Sequence, residues 1–325
     1  RLTIIGEGMP CYDPRQDTTA GGSGAHRADD QSTWTYGAHA RNPACQSLTY
    51  LLGWRIAGKL VVGKGIPARR FDMASFIAAA NICDEPIALD AGGDEPRYCA
   101  DFVISEADAL ESILGQFENT IDAQFHDPQG RIALKCMVND LGAPVASFTS
   151  DDILGDVQWT PHGDLSGRYN LVRGTFTDPS TNSLYQSVDY PEVYTPSIDD
   201  IDRILPLDLP FVQSAAQAQR LAKRAMLRAQ TGGGTLSCEM QATAWRAAQY
   251  DIVELSFPPL GFVNKKFRVL EIETRLDGVV PITLGVEDAA FYDWDETTDE
   301  IAAIVPVAST PYDPLNNPFV SAISA

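Results

Sequence analysis

The sequence predicts a multidomain α+β protein: an antiparallel β-barrel or sandwich with a flanking helix, plus a small β-α-β-β module. Three observations carry this. Between residues 251 and 288, apolar and polar residues alternate in "DIVELSF", "KKFRVLEIETRL" and "VVPITLGVED", and Asp277-Gly278 is a two-residue hairpin signal. Ahead of that block, "SAAQAQRLAKRAMLRAQ" has helical periodicity and runs into the glycines 232–234. Further upstream, "RYCADFVI", "EADALESILGQFEN" and two short runs flanking "HDPQG" follow one another as strand, helix, strand, strand.

In chain order, "RLTIIGEG" reads as a strand, and Pro14 fixes the backbone where the chain turns away from it in "CYDPR". Residues 16–33, rich in Gly, Asp and Thr, read as a long loop. Asn42 is a favoured N-cap and Pro43 a favoured first helical residue; with Ala44, Leu48, Leu51 and Leu52 at helical spacing they predict a helix from 43 to 56. Asp72, flanked by Phe71 and Phe76 in staple positions, starts a second helix through "MASFIAAANI", and "DAGGD" at 90–94 is a turn. In the module, Ser105 is the expected cap and Leu110, Ile113, Leu114 and Phe117 the buried stripe. Pro128 and Gly130 suit a tight turn, after which Ile132, Leu134, Cys136 and Val138 alternate toward one buried face.

Residues 145–205 are short strands and Pro-rich turns. In the next helix Ala215, Ala218, Ala222, Ala225 and Ala229 line one side; Arg220, Arg224 and Arg228, with Lys223, line another that is expected to be solvated rather than to meet an acidic partner. In the β block Val253, Leu255, Phe257, Leu270, Ile272 and Leu276 are expected to face inward, and Glu254, Glu271, Glu273 and Arg275 outward. The Pro-rich end reads as a linker, and Arg1 falls within a strand-like run, so the sequence is expected to be a portion of a longer polypeptide.

Composition narrows the function. The 44% hydrophobic and 21% charged content of the 325 residues is that of a folded chain. A net charge of −20 argues against broad affinity for nucleic acid or anionic membranes. No apolar run has the length of a membrane span, and none reads as a signal peptide. Cysteines 11, 45, 83, 99, 136 and 238 form no CxxC or zinc spacing and read as reduced, mostly buried thiols. The histidines at 26, 39, 126 and 162 are scattered, and no GxSxG, Walker or dinucleotide motif is present. "GGSG" at 21–24 joins no strand to a helix and reads as a flexible loop. His162 and Asp164 suggest an acid–base pair, but short polar turns produce such pairs by chance. Neither a catalytic set nor a cofactor is expected.

"YDPR" (Tyr12, Asp13, Pro14, Arg15), Trp34 in "STWTY", and "NPA" (Asn42, Pro43) before "YLL" resemble the tail-tip hub proteins of long non-contractile-tailed phages and gene transfer agents, the tip-attachment protein J-like or baseplate hubs. The resemblance continues in order through "EPRYCADFVISEADALESILGQFENTIDAQFHDPQGRIAL", "RYNLVRGTFTDPSTN" and "DLPFVQSAAQAQRLAKRAML", covering roughly residues 9–292. It implies a structural virion protein assembled in the host cytoplasm: a homotrimer closing the distal tail tube and forming part of the DNA ejection channel. Its partners would be the distal tail or tail-tube protein ring, the tape-measure protein and other tail-tip or fibre proteins. DNA would pass without specific binding, and the host envelope would be met indirectly.

The same resemblance divides the chain into the end of an N-terminal tube-like domain (1–27), an α+β hub insertion (28–145), a β-rich hub domain (146–204), a tube-like β domain with its helix (205–295) and a linker to further modules (296–325). Glu254, Glu271, Glu273 and Glu287 are then candidates for an acidic lumen that would repel DNA, an outer sheet face being the plain alternative. The rival functions are a virion-associated hydrolase acting on the host envelope, whose residues would be His162 and Asp164, and an adhesin that binds a receptor directly.

Overall fold

The computed structural model describes residues 6, 8–105, 108–161, 168–180, 185–197, 199, 201–230, 234–273 and 275–302. Helix α1 (Pro43–Leu52) starts as its residues dictate: the Asn42 side chain accepts from the N–H groups of Ala44 and Cys45. It ends at Leu52 rather than 56 because Gly53 leaves helical geometry at φ 81° while its N–H still closes on Thr49. The released chain makes a hairpin, β1 (Trp54–Ile56) and β2 (Lys59–Val62), that periodicity does not reveal. Helix α2 (Met73–Cys83) begins after Asp72 as expected, with the Phe71 and Phe76 rings edge to face at 5.9 Å, although the Asp72 side chain makes no capping hydrogen bond. The 90–94 turn closes a second hairpin, β3 (Pro86–Ala88) and β4 (Asp94–Pro96).

"RYCADFVI" is not a strand. Its N–H groups go to four different places: Arg97 to the Glu85 carbonyl, Tyr98 to Cys83, Ala100 to Arg41 and Asp101 to Phe211. An extended strap that satisfies its backbone this way has no ladder to join. The module therefore contains helix α3 (Leu110–Ile121) and the hairpin of β5 (Ala123–His126) and β6 (Ala133–Cys136). Ser105 is not its cap; Ala109 holds that position. Ile113 and Phe117 are buried, with Leu110 and Leu114 packed against the same core.

The next stretch supplies β7 (Ala146–Thr149), β8 (Ile153–Thr160), β9 (Leu171–Arg173), β10 (Thr175–Asp178), β11 (Gln186–Asp189), β12 (Val193–Tyr194) and β13 (Ile204–Pro206). Helix α4 (Ala215–Gln230) follows, then β14 (Thr235–Met240), β15 (Ile252–Phe257), β16 (Phe262–Ile272) and β17 (Val280–Val286). Strands β9 to β13 form small sheets, while β7 and β8 join the last four in one curled six-stranded half-barrel of order β7-β15-β16-β17-β14-β8. All its pairs are antiparallel except β7 with β15.

Two cores result. The first gathers Tyr12, Leu48, Phe76, Tyr98, Phe117, Leu134, Val172, Leu209 and, from α4, Ala218, Leu221 and Ala222. The second, on one face of the half-barrel, contains Phe148, Leu236, Met240, Val253, Leu255, Phe267, Val269, Val280 and Leu284. Helix α4 thus packs into the first core rather than alongside the β block that follows it.

Three side-chain expectations fail. A bulge between Val269 and Glu271 shifts the alternation of β16, so Val269 faces the core and Leu270 lies over Gly285 on the other face. Leu276 is fully exposed in the hairpin turn. The arginine side of α4 is not solvated. Arg220 binds Glu95 at 2.7 Å, Arg224 and Arg228 both reach Asp122 at 3.2 and 2.5 Å, and Lys223 pairs with Asp299. All three acids lie within this chain.

Candidate functional site

The residues that stood out in the sequence meet in one place. The Tyr12 N–H donates to Thr49 Oγ1 on α1 at 2.9 Å, and its hydroxyl donates to Asp17 Oδ2 at 2.7 Å. The Tyr12 and Trp34 rings lie 6.0 Å apart. Asp13 caps the turn through Pro14, accepting from the Arg15 N–H at 2.9 Å and Nε at 3.0 Å. Burial opposes the charge on Asp13, but the Arg15 guanidinium and backbone N–H hold its carboxyl below the ordinary carboxylate range.

Arg15 continues to the end of α2, where it donates to the Ala80 carbonyl at 3.3 Å and to Asp84 Oδ2 at 2.6 Å. Asn42 reaches the same two groups, donating to Ala80 O and Asp84 Oδ1, each at 2.9 Å. "YDPR" and "NPA" are therefore one knot, tied on Asp84. Asp84, Thr49, Asp17 and His26 were not singled out beforehand.

The polar loop 16–33 belongs to the same knot. Its glycines allow close approach rather than free motion: a Cβ on Gly22 would lie 2.2 Å from the Arg15 carbonyl oxygen. The Asp13 N–H donates to His26 Nδ1 at 3.1 Å, so that nitrogen carries no proton. Burial and nearby His39 lower the pKa of His26. Each of these charges is engaged with an internal partner. Among the described residues no acidic, His or Cys group is arranged to hold a metal, and no helix is long and apolar enough to cross a membrane. His162 and Asp164 lie outside the described residues.

A second cluster clasps the two cores together. Arg268, 3% exposed on β16, donates to Glu287 and Asp140 at 2.9 Å, to the Tyr250 carbonyl at 2.8 Å and to the Tyr292 hydroxyl at 3.1 Å. Tyr292 donates to Glu287 at 2.6 Å, and its ring lies under the Arg224 and Arg228 guanidiniums of α4. Burial pushes the Tyr292 hydroxyl up to about 12, so it remains protonated.

The four candidate lumen carboxylates do not form one set. Glu287 is withdrawn from solvent against Arg268. Glu254, on the polar face of β15, is ion-paired with Lys266 and accepts from Ser147 at 3.0 Å. The Lys266 and Ser147 bonds hold its carboxyl below the ordinary range. Glu271 and Glu273 remain exposed and share a groove of about 540 Å³ with Asp156, Glu239, Leu154 and Pro281. Arg275 reaches across to Glu239 at 3.4 Å and Glu273 at 3.1 Å.

With this geometry in view, comparison with solved structures places the fold. A chain of the gene transfer agent virion superposes with a TM-score of 0.52 at 14% identity, covering 62% of this chain and 44% of that one. The fold is shared with that virion chain. The present chain thus spans less than half the length of its relative. Two crystal structures match more loosely: a tail protein from Neisseria meningitidis MC58 (TM-score 0.43, 15% identity, 59% of each chain) and the 43 kDa tail protein of prophage MuSo2 from Shewanella oneidensis (0.38, 11%, 59% of this chain and 58% of that one). No protein-family model and no curated protein matches the sequence.

Proposed function

We propose that this protein is a structural component of a phage-type tail, built into a homotrimeric hub at the distal end of the tail tube. The observation that carries the reading is the fold shared with a virion chain, over 62% of the present chain. The ordered motifs support it, because Tyr12, Asp13, Arg15, Trp34 and Asn42 all serve to fix a rigid body. Rigidity suits a part that assembles and bears load. The net charge of −20 is compatible with DNA passing along the hub without being retained, since duplex DNA carries about one negative charge per 1.7 Å of axis. In this reading the chain meets the tube ring, the tape-measure protein and the fibres, and touches the envelope only through them.

Particles purified from cells that encode the chain test the assignment. Peptides of the chain should co-purify with intact tails, and a gold label on its exposed Leu276 turn should decorate the end opposite the head. Recovery of the chain only in the particle-free fraction would overturn the proposal.

A further inference from the structure

Hairpin β1–β2 is built to be covered by something. Ile56, Leu60, Val61 and Val62 are exposed by 60, 45, 57 and 37%, a concentration of apolar surface on four short-range neighbours. Residues 53–71 contain Arg55, Lys59, Lys64, Arg69 and Arg70 and no acid, in a chain of net charge −20. All five cations are exposed, and none is in an ion pair among the described residues. Basic side chains elsewhere, such as Arg15, Arg220, Arg228 and Arg268, are held by internal carboxylates.

The hairpin is nonetheless firmly mounted. The Gln31 side chain occupies the free edge of β1, accepting from the Arg55 N–H at 2.8 Å and donating to the Arg55 carbonyl. The Trp54 ring packs at a tilt against Trp34 of the knot, centroids 5.5 Å apart, and Gly63 lies so close to the Tyr50 carbonyl that a Cβ would meet its oxygen at 2.0 Å. The edge of β2 pairs with nothing but β1 among the described strands.

The complementary surface is on the same chain. The groove on the polar face of the half-barrel presents Asp156, Glu239, Glu271 and Glu273, with Leu154 and Pro281 as apolar floor, and among the described residues Arg275 alone pairs with these acids. It lies beside β8, the edge strand of the half-barrel. A basic, apolar hairpin matches an acidic groove with an apolar floor in both sign and character.

We infer that the β1–β2 hairpin of one copy docks into the acidic β8–β14–β16–β17 groove of the next. The two patches differ, so the contact is head-to-tail, the kind that closes into a ring when the rotation per subunit allows. Glu271 and Glu273 then bind a neighbour instead of lining a lumen. The inference rests on the ring reading above and assigns its interface. A duplex DNA ligand fits the hairpin less well, because the exposed Ile56, Leu60 and Val61 have no use against phosphates.

The test uses the full chain in sedimentation velocity at micromolar concentration and about 0.15 M salt. Wild type should self-associate, and less so at higher salt, since the charges are at a surface. Lys59→Glu/Lys64→Glu and, separately, Glu239→Lys/Glu271→Lys should each weaken self-association at least tenfold with unchanged thermal unfolding. All four side chains are exposed, so the variants should fold. Mixing the two variants should restore pairwise association between them, because the reversed hairpin meets the reversed groove and the unaltered hairpin meets the unaltered groove. If wild type associates and either variant does so equally, or the mixture is not rescued, the hairpin assignment falls while the ring stands. If wild type remains monomeric at every concentration, both fall.

Discussion

Replacing Arg268 by methionine probes the clasp between the two cores. Met keeps most of the aliphatic stem but removes every donor. Glu287, whose side chain is 7% exposed, then retains only the Tyr292 hydroxyl, and the Tyr250 and Val138 carbonyls lose a donor each. Asp140 is less affected, being 29% exposed and within reach of Lys135. Breaking a buried pair by removing one partner costs about 3–5 kcal/mol. For a cooperative unit of this size each kcal/mol shifts Tm by roughly 2–4 °C, so a drop on the order of 6–20 °C is expected by circular dichroism. Adding Glu287→Gln to Arg268→Met removes the stranded charge and should restore about half of the loss. A single-variant loss below about 1 kcal/mol, or a double variant that merely sums the two singles, would refute the argument that this pair holds the cores together.

Asn42→Ala removes the α1 cap and the bonds to Ala80 O and Asp84 Oδ1, and should cost about 2 kcal/mol in urea unfolding; an unchanged midpoint would mean the knot is not cooperative. His26 has its pKa lowered in the fold by burial and His39, so below its unfolded value of about 6.5 the unfolded chain binds more protons. Stability is therefore complete above that pH and falls as the solution is acidified toward the folded pKa. His26→Asn keeps an acceptor for the Asp13 N–H but does not titrate, and should flatten this acid limb in part, His126 being shifted the same way. Equal slopes for variant and wild type would remove His26 from the account. Gly63→Ala, at φ 85° and with its Cβ 2.0 Å from Tyr50 O, should displace the hairpin and raise its protease sensitivity, whereas Gly58→Ala meets no atom within 4 Å and should carry only the backbone strain of its φ of 78°, about 1 kcal/mol, leaving the hairpin in place.

The elements legible in the sequence were those whose determinants are local. Asn42-Pro43 specifies the start of α1, Asp72 with its phenylalanines the start of α2, and the alternation of β15 its inner face of Val253 and Leu255. What could not be read depended on partners distant in the chain. The arginines of α4 look solvated because Glu95 and Asp122 lie 125 and 102 residues away. "RYCADFVI" has strand composition, but its backbone is satisfied piecemeal by residues 83–85, Arg41, Phe211 and the Gln217 side chain. One bulge in β16 exchanged the roles of Val269 and Leu270, as any single-residue shift must. The motif residues were visible as a series. That they converge on Asp84 was not, since nothing in "CDEP" distinguishes it from an ordinary turn.

Symmetry at the tail tip tests the central claim most directly. Electron cryo-microscopy of intact tails should place three copies of this half-barrel and knot in a C3 ring against the six-fold tube, each hairpin on its neighbour's groove. A tail tip lacking this fold, or carrying it as a single copy, would contradict the account.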